Sequence, residues 1–180
     1  MSTKIVYNLL RIVNPTMNNQ IKDIKSLPII VDKVRKRNID EIVSRNITIS
    51  KIDWDSFETS WNFKLHPLLI YKGKNIDQSF ENWREFVEQQ FTQLKANEEE
   101  LNRIFIEIYG LQNELSPEVE DKDITIRIAN QLRDIKSFIS YAVGCMLGRY
   151  SLDEEGLIFA GGKFDLERYK TFQADADGIL

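Results

Sequence analysis

The sequence predicts an all-α or mainly α protein, on three observations. Apolar residues recur at helical spacing through residues 79–109 and again through 126–150. Gly110 and an acidic, Pro117-containing stretch separate the two, as a loop joining an antiparallel hairpin would. Upstream lie shorter amphipathic stretches punctuated by Asn14-Pro15 and Pro28, expected to pack across one end of that hairpin.

Each element follows in order. Residues 4–13 are apolar enough for a short buried helix, and Asn14-Pro15 stops it because the residue before proline is pushed out of the α region. Thr16 to Gln20 reads as a polar loop or short strand. Ile21, Ile24 and Leu27 make one helical turn closed by Pro28. Residues 31–46 form a basic amphipathic helix with Val31, Val34, Ile39, Ile42 and Val43 inward, and Ser50 is expected to cap a separate short helix, 51–59. Residues 60–78 read as an extended connector that packs aromatics.

Ser79 is expected to cap the first long helix, whose stripe is Phe80, Trp83, Val87, Phe91, Leu94, Leu101, Ile104, Phe105 and Ile108. Gly110 is its expected terminator. In the second long helix Ile128, Leu132, Ile135, Ile139, Ala142 and Met146 alternate steps of four and three, a heptad seam. Gly144 and Gly148 are expected on one face of it, where another backbone approaches closely. The last ten or so residues are expected to be frayed or partner-dependent. The domain reading is therefore 1–30, a helical domain over 31–150, and a glycine-containing tail over 151–180.

At 42% apolar and 29% charged, composition is that of an ordinary globular protein. No apolar run approaches the roughly 18 residues that span a bilayer, the first residues lack a signal-peptide pattern, and a single cysteine excludes an internal disulfide framework. These features favour the cytoplasm. Charge is uneven: residues 1–51 carry a net +6 and residues 52–180 a net −10. A basic front suits a phosphate neighbour; the acidic body would repel one.

Most candidate chemistry is excluded by context. Asn14-Pro15-Thr16-Met17 lacks the second proline and the aromatic that an adenine-binding motif needs to bond and stack a flipped base. Gly161-Gly162-Lys163 is not followed by a helix-opening pattern, so no S-adenosylmethionine pocket is expected. Glu120-Asp121-Lys122 has the acid-X-lysine form of a metal-dependent nuclease but falls in a loop. His66, the sole histidine, reads as packing or capping, and Cys145 as a small buried hydrophobe. Trp54, Trp61 and Trp83 stand near Asp53, Asp55 and Glu58, which favours core packing over base stacking. There is no Cys/His cluster for zinc, and no metal site is expected. Lys33, Arg35, Lys36 and Arg37, with Arg45, are the one DNA-contacting candidate; such cations position on phosphate rather than read bases.

Four ordered strings carry a family resemblance: residues 14–30 from Asn14-Pro15 to Ile30, residues 50–69 from Ser50-Lys-Ile-Asp-Trp to Leu69, residues 97–115 with Pro117-Glu-Val following, and residues 134–153 with Glu155-Gly-Leu157. In order and spacing they resemble the C-terminal helical region of PglX-type adenine-specific DNA methyltransferases of BREX phage-exclusion systems. The first string is similar to the segment closing the target-recognition region. The resemblance implies methyl transfer from S-adenosylmethionine to adenine N6 by the full-length family. The family's catalytic and cofactor motifs match no position here, so no catalytic residue carries over. The expected role is a non-catalytic module that braces the recognition region and touches DNA phosphates, with the catalytic and recognition domains, or a split partner chain, as partners. A second reading is an interaction scaffold that docks other defence subunits through the acidic body without touching DNA.

Overall fold

The computed structural model describes residues 3–16, 18 and 20–175. Among them are six α-helices, two short 3-10 turns and no strand, so the chain is mainly α as its spacing predicts. The helices are α1 (Lys4–Val13), α2 (Ile21–Lys25), α3 (Lys36–Asp55), α4 (Pro67–Ile70), α5 (Ile76–Tyr109) and α6 (Gln131–Met146). They belong to two compact units, Met1–Ile49 with Thr92–Thr125, and Ser50–Phe91 with Ile126–Leu180. α3 and α5 each contribute one part to both.

In the first unit, Thr3 caps α1 by accepting the Val6 N–H, and Asn14 ends it. The Lys4 N–H donates to Asn102 Oδ1 at 3.0 Å, and Asn102 Nδ2 donates to the Pro117 carbonyl at 3.1 Å. One buried amide on α5 thus holds both the start of α1 and the loop after α5. α3 begins at Lys36, five residues later than its apolar spacing suggests. Asp32 Oδ1 accepts the N–H groups of Val34 and Arg35, fixing a turn there and leaving Val31 and Val34 exposed. Ile39, Ile42 and Val43 do face inward, onto Leu101, Ile104, Phe105 and Ile108. Below them Asn97 Nδ2 donates to Asn46 Oδ1 at 2.7 Å, both side chains buried.

The break expected at Ser50 is absent, and α3 runs through it to Asp55. Ser44 and Thr48 bond their hydroxyls back to carbonyls four residues earlier, so hydroxyl residues sit within this helix without ending it. α5 ends as expected: Gly110 has φ +70°, and the Leu111 N–H reaches the Ile106 carbonyl at 2.9 Å. The loop then runs back along α5. Asn102 meets Pro117, Glu99 Oε1 accepts the Val119 N–H at 3.1 Å, and Lys95 pairs with Asp121 at 2.6 Å. Val119 and Ile124 are buried by that course.

In the second unit α5 starts earlier than Ser79. Asn75 Oδ1 accepts the Gln78 N–H at 2.8 Å, while Ser79 Oγ, inside the helix, donates to the Asn75 carbonyl. The core is aromatic. Leu68, Phe80, Trp83 and Val87 pack with Tyr71, Phe86, Ile135 and Phe138, and a second cluster joins Phe63, Tyr141, Cys145 and Tyr150. Within residues 60–78, read as extended, Pro67–Ile70 forms one helical turn opened by proline at its first position.

α6 is shorter than 126–150. Asn130 caps it by accepting the Arg133 N–H at 2.9 Å, which sets its start. Its inner side is Asp134, Phe138, Tyr141 and Cys145; of the expected heptad seam Ile135 packs against the core, while Leu132, Ile139 and Met146 are exposed. Asp134 is acceptable in the core because its carboxylate accepts from Trp83 Nε1 (3.3 Å), Arg133 Nε (2.7 Å) and the Asn130 N–H (3.0 Å). The close approach expected at the two glycines is by rings rather than backbone. A Cβ on Gly144 would lie 2.6 Å from the Tyr150 ring, and one on Gly148, past the helix at φ +73°, 2.5 Å from Phe164.

Residues 147–175 are irregular but bonded. Tyr169 OH donates to the Gly148 carbonyl at 2.5 Å, and Ser151 Oγ to the Arg168 carbonyl at 2.8 Å. Asp153 accepts from the Lys170 and Thr171 N–H groups. The fraying expected of the last ten residues is therefore not seen for 171–175: Ala174 is buried and the Asp175 N–H meets the Met146 carbonyl at 2.8 Å. Residues 176–180 lie outside the described residues.

Candidate nucleic-acid interface

The basic run of the first unit divides by what each cation faces. Lys33, Lys36, Arg37 and Arg45 line one shallow depression at the start of α3, together with Asp40, Glu41 and Ser44. Helical spacing puts 37, 41, 44 and 45 on one side of α3, and the turn held by Asp32 brings Lys33 to it. Lys36 pairs with Asp40, and Arg37 Nε with Glu41 at 3.0 Å. Both pairs are exposed, of a kind worth only about 0.3–0.5 kcal/mol, so an incoming phosphate can displace the carboxylate. Four cations against two carboxylates leave the depression net positive. The two pairs also place cations in the first turn, against the helix dipole, which raises the local attraction for anions.

Arg35 is placed differently. Its guanidinium reaches Glu107 at 2.9 Å and Asp32 at 3.6 Å, and it is half-buried. It ties the turn before α3 to α5. Sequence reasoning grouped it with its neighbours because its partner stands 72 positions away.

The other candidates have structural roles. Asn14 spends its side chain in a turn: Nδ2 donates to Asp23 Oδ2 at 2.8 Å and to the Asn18 carbonyl at 3.1 Å, and Oδ1 accepts from the Thr16 N–H and hydroxyl. Those bonds leave it no amide to offer a base; Met17 lies outside the described residues. Asn14 and the Gln20 N–H lower the carboxyl of Asp23. Gly161-Gly162-Lys163 is exposed, followed by a 3-10 turn at Leu166–Arg168 rather than a helix. Neither stretch fits S-adenosylmethionine. Glu120-Asp121-Lys122 is exposed at the start of the short 3-10 turn Asp121–Asp123, with Glu120 paired to Lys122 at 2.5 Å and Asp121 to Lys95. Among the described residues no three His, Cys, Asp or Glu side chains group as metal ligands would.

His66 is buried and caps α4, its Nδ1 accepting the Leu68 N–H at 3.2 Å. Burial pushes it down to about 4, with Asp134 opposing, so the ring is neutral. Burial raises the Cys145 thiol, which disfavours the nucleophilic thiolate. Burial likewise raises Glu58, whose Oε1 is a buried atom with no hydrogen-bond partner among the described residues. Trp83 packs as expected, but Trp54 is half-exposed and Trp61 is 99% exposed, so core packing fails for those two. Trp61 follows a turn in which Ser60 donates to Asp55, and that turn points it outward.

The described residues thus form a helical chain with a net-positive depression at the start of α3. Its relatives define its class. Over 178 residues, 96% of this chain, it is 45% identical to adenine-specific methyltransferase PglX of Lacticaseibacillus casei (strain Zhang). Over its whole length it is 33% identical to adenine-specific methyltransferase BrxX of Escherichia coli O9:H4 (strain HS). The chain is therefore related to one stretch of the PglX and BrxX adenine-specific methyltransferases, and it spans about 15% of the first relative's length and 16% of the second's. No family model matches it. Among the described residues no helix is long and apolar enough to cross a membrane.

Proposed function

We propose that this chain is a non-catalytic helical module of an adenine-specific DNA methyltransferase in a phage-defence system. The observation that carries the reading is 45% identity to a PglX protein over nearly the entire chain. Methyl transfer to adenine N6, with S-adenosylmethionine, falls in this reading to the parts of such a protein outside this stretch. The module braces the recognition region and rests on the DNA backbone through Lys33, Lys36, Arg37 and Arg45, while Arg35 holds the turn that presents them. The net-positive depression supports this contact, and the exposure of its two ion pairs leaves those cations available.

Fluorescence anisotropy of a labelled duplex across a salt series tests the contact. Three or four neutralised phosphates give a slope of log affinity against log salt of about −3 to −4. Arg37→Glu with Arg45→Glu should abolish binding, and Arg35→Lys should reduce it without changing the slope as much. No binding at low salt would remove the DNA contact and leave the scaffold reading, in which the chain docks other defence subunits only.

A further inference from the structure

α6 is apolar on two opposite sides. Asp134, Phe138, Tyr141 and Cys145 face the core of its own unit. Leu132, Ile139, Val143 and Met146, spaced seven, four and three, make a stripe on the other side, and all four are exposed, Leu132 at 68%, Ile139 at 57% and Met146 at 54%. Arg133, Lys136, Ser137 and Ser140 lie on one flank between the two sides. Single exposed apolar residues are ordinary, but an aligned stripe of them is not.

We propose that this outer face of α6 seats an apolar surface from the remainder of a PglX-type methyltransferase. The inference rests on the module reading above and names the surface through which the module is held. Two observations choose the occupant. The first is length: the relatives carry this stretch within chains of which it makes up 15–16%, so most of such a protein is available to cover it. The second is area. Four side chains this open present on the order of 400 Å², the size at which patches mark interaction sites. A second copy meeting the same face would bury roughly 800 Å² in all, short of the roughly 1,200 Å² of stable two-chain interfaces. An interface between domains of one protein needs only about 600 Å².

The test uses the full-length L. casei relative with its matching stretch replaced by this chain. Hydroxyl-radical footprinting compares Met146 oxidation in that protein and in the free chain, alongside adenine methylation of duplex DNA. Oxidation at least about fivefold slower in the full-length protein is expected. Leu132→Lys with Ile139→Lys should leave the helicity of the free chain unchanged and restore fast Met146 oxidation in the full-length protein. Equal oxidation in a full-length protein that still methylates DNA would overturn the docking face and spare the module reading. Equal oxidation with methylation lost would overturn both. Concentration-dependent protection of Met146 in the free chain, with dimers in sedimentation, would assign the face to a second copy and overturn the proposal.

Discussion

The unit formed by residues 50–91 and 126–180 buries aromatic rings around ionisable groups, whereas the unit formed by residues 1–49 and 92–125 buries aliphatic chains around an amide pair. In the first, Trp83, Phe138 and Tyr141 surround Asp134 and His66. In the second, Ile42, Leu101 and Ile104 pack above Asn46 and Asn97. The contrast teaches where each should be fragile. An aromatic core with buried ionisable groups concentrates its stability in a few bonds and depends on pH. An aliphatic core spreads its stability over many contacts. All three tryptophans lie in the aromatic unit, so indole fluorescence follows it alone while helical circular dichroism follows both.

The largest effect should come from Trp83→Ala, which opens a cavity and strips a donor from Asp134. Urea unfolding should show a loss of about 3–5 kcal/mol. An unchanged circular dichroism midpoint would break the comparison. Leu101→Ala should cost about 3 kcal/mol in the aliphatic unit. If indole fluorescence and circular dichroism then unfold at different urea concentrations, the units are thermodynamically separable; coincident transitions would show one cooperative structure.

The pH effect is next. His66 is held low in the folded state, so the unfolded chain binds its proton first, near 6.5. Stability should be full above that value and fall as pH drops towards about 4, by about 2–3 kcal/mol at one proton over that window. Burial raises Asp53 and Glu58 in the same unit, which works in the opposite sense. Comparing wild type with His66→Asn isolates the histidine: Asn Oδ1 stands where Nδ1 did, so the variant keeps an acceptor for the Leu68 N–H and should lose this slope in indole-monitored unfolding. The smallest effect is Arg37→Ala, expected within about 0.5 kcal/mol because the Glu41 pair is exposed. A larger loss would mean that the basic depression is built for stability rather than contact.

What the sequence revealed followed local chemistry. α1 and the end of α5 were legible because Asn14-Pro15 and Gly110 act on their own neighbours. The face of α6 was not, because both of its sides are apolar and the buried one carries an aspartate. Trp83, 51 positions away, joins Arg133 and the Asn130 N–H in making that aspartate at home in a core. The cluster of cations was legible as a run, but the withdrawal of Arg35 to Glu107 needed the fold. Asp32, an ordinary acid among bases, was the signal that could have moved the start of α3.

The two units interleave along the chain, and this orders their assembly. A nascent chain that has released α1, α2 and all of α3 still lacks the part of α5 that covers Ile42, because the first unit is complete only at residue 125. The second unit waits longer still, for α6 and the bonded segment after it. Synthesis thus holds the amphipathic front exposed through some seventy further residues before it can close. By the same topology, no single chain cleavage can release either unit with both of its segments joined, so neither can be gained or lost in one contiguous exchange.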